Sequence, residues 1–322
     1  VTVIGEEFLN FQEMRFQKLS CASEERTWIL GNAYTFIEVP KLTVRTSEDK
    51  TSVKVEAKVL QTEEIIEING DLLVAADGCL SSIRKTFLPD LKLRYSGCCA
   101  WRGVLDFSGN GNSESILGIQ RPYPDPRKCL YFDLNTGRIT GLYELLNKRL
   151  NWIWYVHQHE PGQKVSSDMI ENMYQEAESL GPELVRVTRE TKEPFINIIY
   201  DSDPLELIFW DNVVLIGDAS HPTTPHRVRS TNISTLDAAV LGKCIEKLGA
   251  ENIPSALEEY QHIRLTVTAK QVLHSQRVGQ IKQGLALPDS KLFDPTAASA
   301  EESEELQRIH LPFFASAPLS VD

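Results

Sequence analysis

No C-x-x-C pair occurs among the six cysteines of the 322-residue chain. Only Cys98 and Cys99 are close in sequence, and adjacent residues rarely bridge. This spacing argues against a disulfide framework and a thiolate zinc site, and reduced thiols are expected. The seven histidines lack metal-ligand spacing. His221 and His226 stand five apart on a proline-bounded loop, with no carboxylate or cysteine at a matching interval, so no metal site is expected. Basic residues are the minority, 33 against 45 acidic ones, and the formal charge is −12. A negative surface does not draw phosphate backbones, which argues against a nucleic-acid partner. Long apolar runs are missing too. Leu72 to Ala76 and Val213 to Ile216 are strand-length and far short of a membrane span. Val1 to Ile4 is apolar but runs straight into Gly5, Glu6 and Glu7, which is no signal peptide. A soluble, cytoplasmic protein is the expectation.

What is present suffices for a sizeable core: 42% of residues are hydrophobic and 24% charged, an ordinary globular balance. Glu13 to Leu30 has helical propensity without a clean apolar stripe. Thr51 to Leu60 alternates with period two, the sign of a half-exposed strand, and Glu64 to Ile68 reads as its hairpin partner. Asp71 to Ala76 is a short buried strand of the parallel-sheet type, and Ser81 to Phe87 can form a helical turn. Between Tyr95 and Gln158 the texture changes. Ala100 to Phe107, Ser115 to Ile119, Cys129 to Leu134, Ile139 to Leu145 and Trp152 to His157 read as about five antiparallel strands.

An amphipathic helix follows, with Ile170, Met173, Ala177 and Leu180 on one side, Ser167 as N-cap and Gly181-Pro182 as stop. Pro194 to Tyr200 is a further strand. Val213 to Ile216 is a second buried strand, and a helix from about Ile233 to Leu248 is capped by Gly249. Pro254 suits the first turn of a long helix to about Gly284. The stretch after Pro288 is expected to be mobile.

Two motifs carry the chemistry. In the first, the strand Asp71-Leu-Leu-Val-Ala-Ala ends at Asp77-Gly78, followed by Cys79, Leu80, Ser81, Ser82, Ile83 and Arg84. Ligands of open α/β sheets bind at the carboxyl ends of strands. Gly78 permits a tight turn, and Arg84 is placed to reach a phosphate. In the second, Val213-Val-Leu-Ile ends at Gly217-Asp218, then His221, Pro222 and Pro225 lead through Asn232 into a helix. A carboxylate there can accept from ribose hydroxyls. A helix N-terminus offers free N–H groups and the positive end of a dipole.

Together these strings resemble the DG and GD motifs of the FAD-dependent aromatic-ring monooxygenases, the para-hydroxybenzoate hydroxylase class. Tyr95-Ser-Gly-Cys-Cys-Ala-Trp101-Arg102-Gly103 is similar, more narrowly, to the 2,6-dihydroxypyridine hydroxylase subgroup. The resemblance covers roughly residues 65 to 285. It implies an α/β (α+β) fold: an incomplete, Rossmann-like FAD/NAD(P)-binding domain, an inserted antiparallel-sheet substrate domain, and C-terminal helices. The implied divisions are residues 1–92 and 206–288 for the FAD-binding parts, 93–205 for the substrate sheet, and 289–322 for the tail. It implies FAD as cofactor and NAD(P)H as reductant, hydroxylating a small aromatic or heteroaromatic ring. Asp77, Gly78, Arg84, Gly217, Asp218, Pro225 and Asn232 become the cofactor-binding candidates. Trp101, Arg102, Tyr143, Tyr155 and His157 become the substrate-binding candidates; the competing reading is a strand residue plus a surface charge for Trp101-Arg102, and core packing for Tyr143, Tyr155 and His157. The cofactor would carry the hard chemistry, and no nucleophilic triad is expected or seen.

The sequence departs from the family in two places. The family opens on a strand, a G-x-G-x-x-G turn and a helix that hold the ADP half of FAD. No such motif stands here, and Glu6-Glu7 follow Gly5 where glycines are needed, so a first unit reads as missing. The family also has two glycines before Asn232, where this chain has Val228 and Ser230, flanked by Arg227 and Arg229. A β-branched valine at such a close approach is expected to crowd the flavin. These departures leave a rival reading: a truncated pseudoenzyme that binds a small ligand or a protein, through a sheet edge in the latter case. A homodimer is compatible with either reading. Asp237 and Arg264 sit in helices and read as structural.

Overall fold

The short apolar runs assemble into three sheets. The computed structural model describes residues 2–5, 27–30, 36–39, 42–58, 63–109, 114–128, 131–135, 138–158, 165–227 and 230–283. Among the described residues they fall into two compact units, one built from those within Val1–Arg94 and Tyr200–Gly279, the other from those within Tyr95–Ile199 and 280–283.

The front of the first unit contains β1 (Thr2–Gly5), β2 (Thr27–Leu30), β3 (Phe36–Val39), β4 (Leu42–Thr46), β5 (Val53–Lys58), β6 (Ile65–Gly70), β7 (Leu73–Ala76) and α1 (Ser82–Phe87). The alternation expected of Thr51 to Leu60 is realised in β5, where Val53, Val55 and Ala57 are buried. Its hairpin partner is β6, and β4 completes a three-stranded antiparallel sheet. The helical propensity of Glu13 to Leu30 is overruled at its end, where Thr27–Leu30 is a strand paired on both sides. The β-branched and aromatic Thr27, Trp28 and Ile29 favour that state. The rest of that segment lies outside the described residues, as do Val228, Arg229 and the tail.

The second unit contains β8 (Arg94–Asp106), α2 (Glu114–Gln120), β9 (Tyr131–Asn135), β10 (Arg138–Leu145), β11 (Arg149–His157), α3 (Ser167–Ala177), α4 (Pro182–Glu190) and β12 (Phe195–Asp201). The sheet runs β12-β8-β11-β10-β9. It has five strands, but Ser115 to Ile119 is not one of them. That segment is helical, because Ile116 and Ile119, three apart, are both buried while Leu117 is exposed, a helical rather than a strand period. The fifth strand is β12. Helix α3 is capped by Ser166, one residue before the expected cap, whose Oγ accepts from the Met169 N–H. Pro182 does more than stop α3, since it opens α4 at a position where a missing N–H costs nothing. One sheet face carries Trp101, Leu105, Leu142, Leu150, Trp152 and Trp154 and packs with Met173, Ala177, Leu184 and Val187 of α3 and α4.

The chain then returns to the first unit with β13 (Phe209–Trp210), β14 (Val213–Leu215), α5 (Ser230–Leu248) and α6 (Ile253–Lys282). The main sheet has the order β13-β14-β7-β1-β2-β3. Strands β14, β7 and β1 are parallel to one another, whereas β13, β2 and β3 run antiparallel to their neighbours. Leu73 to Ala76 and Val213 to Leu215 are buried on both faces, as strands inside a covered parallel sheet must be. They join Leu236, Val240, Leu241 and Cys244 of α5 and Ala256, Leu257 and Tyr260 of α6 in one core.

Candidate functional site

The parallel pairing of β14, β7 and β1 brings the carboxyl ends of three strands to one edge. Ala76 pairs with Gly5, and Leu215 pairs with Ala75. Asp77-Gly78 and Gly217-Asp218, distant in sequence, therefore emerge side by side. Both glycines need their residue type here, with φ of 75° at Gly78 and 62° at Gly217, where a side chain is strained.

Asp77 is consumed locally. Its Oδ1 accepts from Ser81 Oγ at 2.6 Å and its Oδ2 from the Ile83 N–H at 3.1 Å. Burial pushes its carboxyl up in pKa, against those two hydrogen bonds. Ser81 Oγ in turn accepts from the Arg84 N–H and caps α1. Arg84 is buried, and its guanidinium donates to the main-chain carbonyls of Cys79, Asp218 and Ala219. The planar fork of Arg84, the phosphate candidate, thus fastens the first turn to the second.

Asp218 differs from Asp77. It is half-buried, and only its Oδ1 has a described partner, Ser230 Oγ at 2.5 Å. Ser230, which stands where the family has a glycine, opens α5 and orients this carboxylate. Asn232 is exposed on α5, two residues further on.

The loop between Asp218 and α5 is held from below. Gly217 N–H donates to Asp237 Oδ2 at 2.8 Å, His221 Nε2 lies 2.5 Å from the same oxygen, and Arg264 Nε donates to Asp237 Oδ1 at 2.6 Å. Burial alone would raise the Asp237 carboxyl. His221, Arg264 and the Gly217 N–H outweigh it and hold the group below the ordinary aspartate range. Further along, Thr224 Oγ1 donates to the Ser275 carbonyl at 2.9 Å, and Ser275 Oγ returns a contact to the Thr224 carbonyl at 3.4 Å. Pro225 begins a short 3-10 turn, and His226 is buried against Gly279, where a Cβ would come within 2.6 Å of its ring. In its described part the loop is held by α6 at Thr224 and His226.

The network around Asp237 escaped the motif reading, yet a signal existed. Asp237 lies beside Leu236 on the buried side of α5, and Arg264 lies four residues after buried Tyr260 on α6. A charge on an apolar helix face must be paired.

In the second unit the substrate candidates separate. Trp101 belongs to the buried cluster facing α3 and α4, so it packs the core. Register places Arg102, Tyr143, Tyr155 and His157 on the opposite sheet face: Arg102 pairs with Ile153, Tyr155 with Ala100 and Ile139, Tyr143 with Asn151, and His157 with Cys98. Tyr155 is buried, Arg102 and Tyr143 are half-buried, and His157 is exposed. Among the described residues no group of three or more potential metal ligands comes together, and no helix is long and apolar enough to cross a membrane.

No family model matches the chain. It is 31% identical over 219 residues to the aurachin C monooxygenase/isomerase of Stigmatella aurantiaca, covering 67% of this chain and 53% of that protein. It is 24% identical over 244 residues to 3-hydroxybenzoate 6-hydroxylase 2 of Aquipseudomonas alcaligenes, covering 73% and 72%. Several other relatives are matched over about half their length. Among solved structures, 2,6-dihydroxypyridine-3-hydroxylase from Arthrobacter nicotinovorans superposes with a TM-score of 0.62 at 17% identity, covering 79% of this chain and 65% of that one. Klebsiella pneumoniae HpxO complexed with FAD and uric acid gives 0.61 at 21% identity, covering 82% and 62%.

Proposed function

We propose that this chain, whose homologues are FAD-dependent aromatic-ring hydroxylases, is the flavin-facing and substrate-facing part of such a monooxygenase. The observation that carries this reading is the convergence of Gly78 and Gly217-Asp218 at the carboxyl edge of adjacent parallel strands, before a loop that feeds α5.

These residues fit one half of FAD. The open oxygen of Asp218 would accept from a ribityl or ribose hydroxyl. Gly217 and Gly78 would let backbone approach closely, and Pro225 with the start of α5 would face the ring's polar edge. Bound there, FAD supplies the redox and oxygen chemistry, and NAD(P)H supplies the electrons. The protein's own contribution is to orient and shield. Ser230 holds Asp218, and the Asp237 network together with Ser275 holds the loop. The ADP half has no G-x-G-x-x-G turn in this sequence. The unit with the parallel strands takes the cofactor role, and the five-stranded sheet takes the ring-binding role, with Arg102, Tyr143, Tyr155 and His157 on its ligand face. The same reading puts the protein in the cytoplasm, where reduced thiols are the rule.

The test is to supply FAD, NADH or NADPH, oxygen and a panel of hydroxylated benzoates and pyridines. Nicotinamide oxidation coupled to gain of one oxygen atom by the ring, read by mass spectrometry, is the expected result. FAD uptake without any ring oxidation would favour the pseudoenzyme instead.

A further inference from the structure

Arg227-Val-Arg229-Ser230 is a stretch of the sequence that the flavin reading does not use. The family has glycines where this chain has Val228 and Ser230, and a glycine carries no hydroxyl. Ser230 is half-buried and is the first residue of α5. Its Oγ donates to Asp218 Oδ1 at 2.5 Å. Nearby hydroxyls of the same helix are spent on the helix itself. Ser234 Oγ donates to the Ser230 carbonyl and Thr235 Oγ1 to the Thr231 carbonyl. Ser230 is different, because its hydroxyl serves the carboxylate that the flavin reading assigns to a ligand.

The surrounding sequence suits one kind of enzyme. Arginines stand three and one residues before Ser230, and Thr231 to Thr235 carry no charge. Serine kinases with an acidic substrate groove select a serine preceded by cations, since guanidinium groups pair with the groove's carboxylates. Helix ends fray, so a hydroxyl on the first helical residue reaches such a groove without unwinding the helix body.

We propose that Ser230 is a phosphorylation site and that its phosphate closes Asp218 to a ligand. The γ-phosphoryl group of ATP passes to Ser230 Oγ. The bond from the γ-phosphorus to the bridging oxygen breaks, a bond from phosphorus to Oγ forms, the hydroxyl proton goes to the kinase, and ADP leaves. Ser230 thereby loses the hydrogen that it donates and gains a group with about two negative charges. Asp218 Oδ1 then faces an anion in place of a donor, and like charges in contact repel. The acceptor stands on Ser230 and its sequence alone, whereas its effect on a cofactor rests on the flavin reading given above.

The test treats the FAD-free full chain with magnesium ATP and two basophilic serine kinases, those activated by cyclic AMP and by calcium with lipid. Peptide mass spectrometry then maps the phosphate. Phosphate on Ser230 is expected. The modified chain should take FAD at least about tenfold more weakly than the untreated one, and phosphatase should restore uptake. A chain left without phosphate on Ser230, or modified there with unchanged FAD uptake, overturns the proposal. A second readout needs no flavin. The second ionisation of the phosphate, followed by phosphorus NMR, should lie at higher pH in the native chain than in D218N, because the carboxylate opposes the dianion. Equal ionisation in the two chains overturns the coupling to Asp218. An untreated chain that takes no FAD sinks the flavin reading, and the phosphorus titration then decides this one by itself.

Discussion

At the scale of single residues, Asp77 and Asp218 show how two similar strand-end motifs are put to different use. Asp77 spends both oxygens on Ser81 and Ile83, so it builds the turn. Asp218 keeps an oxygen without a described partner, so it can serve a ligand. D218A should therefore weaken FAD binding roughly tenfold or more while leaving the melting temperature nearly unchanged. S230A should weaken it less, because it only loosens the carboxylate. Quenching of FAD fluorescence on titration measures both.

Asp237 is the opposite case. D237A would leave Arg264 buried without its acid, at a cost of about 3–5 kcal/mol in denaturant unfolding. The sign of its pH dependence follows from a folded carboxyl held below the ordinary 3.8. Its stabilisation is complete above that value and drains away as pH falls through the folded one. The stability gap between the native protein and D237N should accordingly narrow only in acid. A gap that is constant with pH would contradict the pairing.

At the scale of elements, much was legible and the failures have physical causes. Buried parallel strands announce themselves as unbroken apolar runs, which is why β7 and β14 were readable as strands from sequence. Period-two alternation marked β5. Ser115 to Ile119 misled because a short run with two isoleucines fits either period, and only burial on one side decides it. The Asp237 network was not legible as a unit because its members come from a strand end, a loop and two helices. Arg84 was visible, but its partners are carbonyls, which no sequence pattern displays.

Two substitutions test the elements directly. Gly103 in β8 lies under Trp152, and a Cβ there would come within 2.6 Å of Thr191 Cγ2 and 2.7 Å of Trp152 Nε1. That indole donates to Thr191 Oγ1 at 2.8 Å, so neither neighbour can yield without losing the bond. G103A should cost about 1–3 kcal/mol by thermal denaturation. S166A removes only a cap from α3 and should cost about 1 kcal/mol. The reverse ranking would mean that α3, not the tryptophan layer, limits the stability of this sheet.

At the scale of the whole molecule, the proposed reading gives the chain one half of a flavin site, while its sequence has no G-x-G-x-x-G turn for the other. Gly217 is tied to Asp237, and Asp218 to Ser230, so this edge is held by hydrogen bonds from α5. The central claim is that the edge formed by Gly78, Gly217 and Asp218 still accepts FAD. The most direct measurement is the visible spectrum of the purified chain after incubation with FAD and removal of free cofactor. The account predicts retained flavin absorbance approaching one FAD per chain, lost in D218A. A colourless protein that cannot be loaded at any FAD concentration would contradict it.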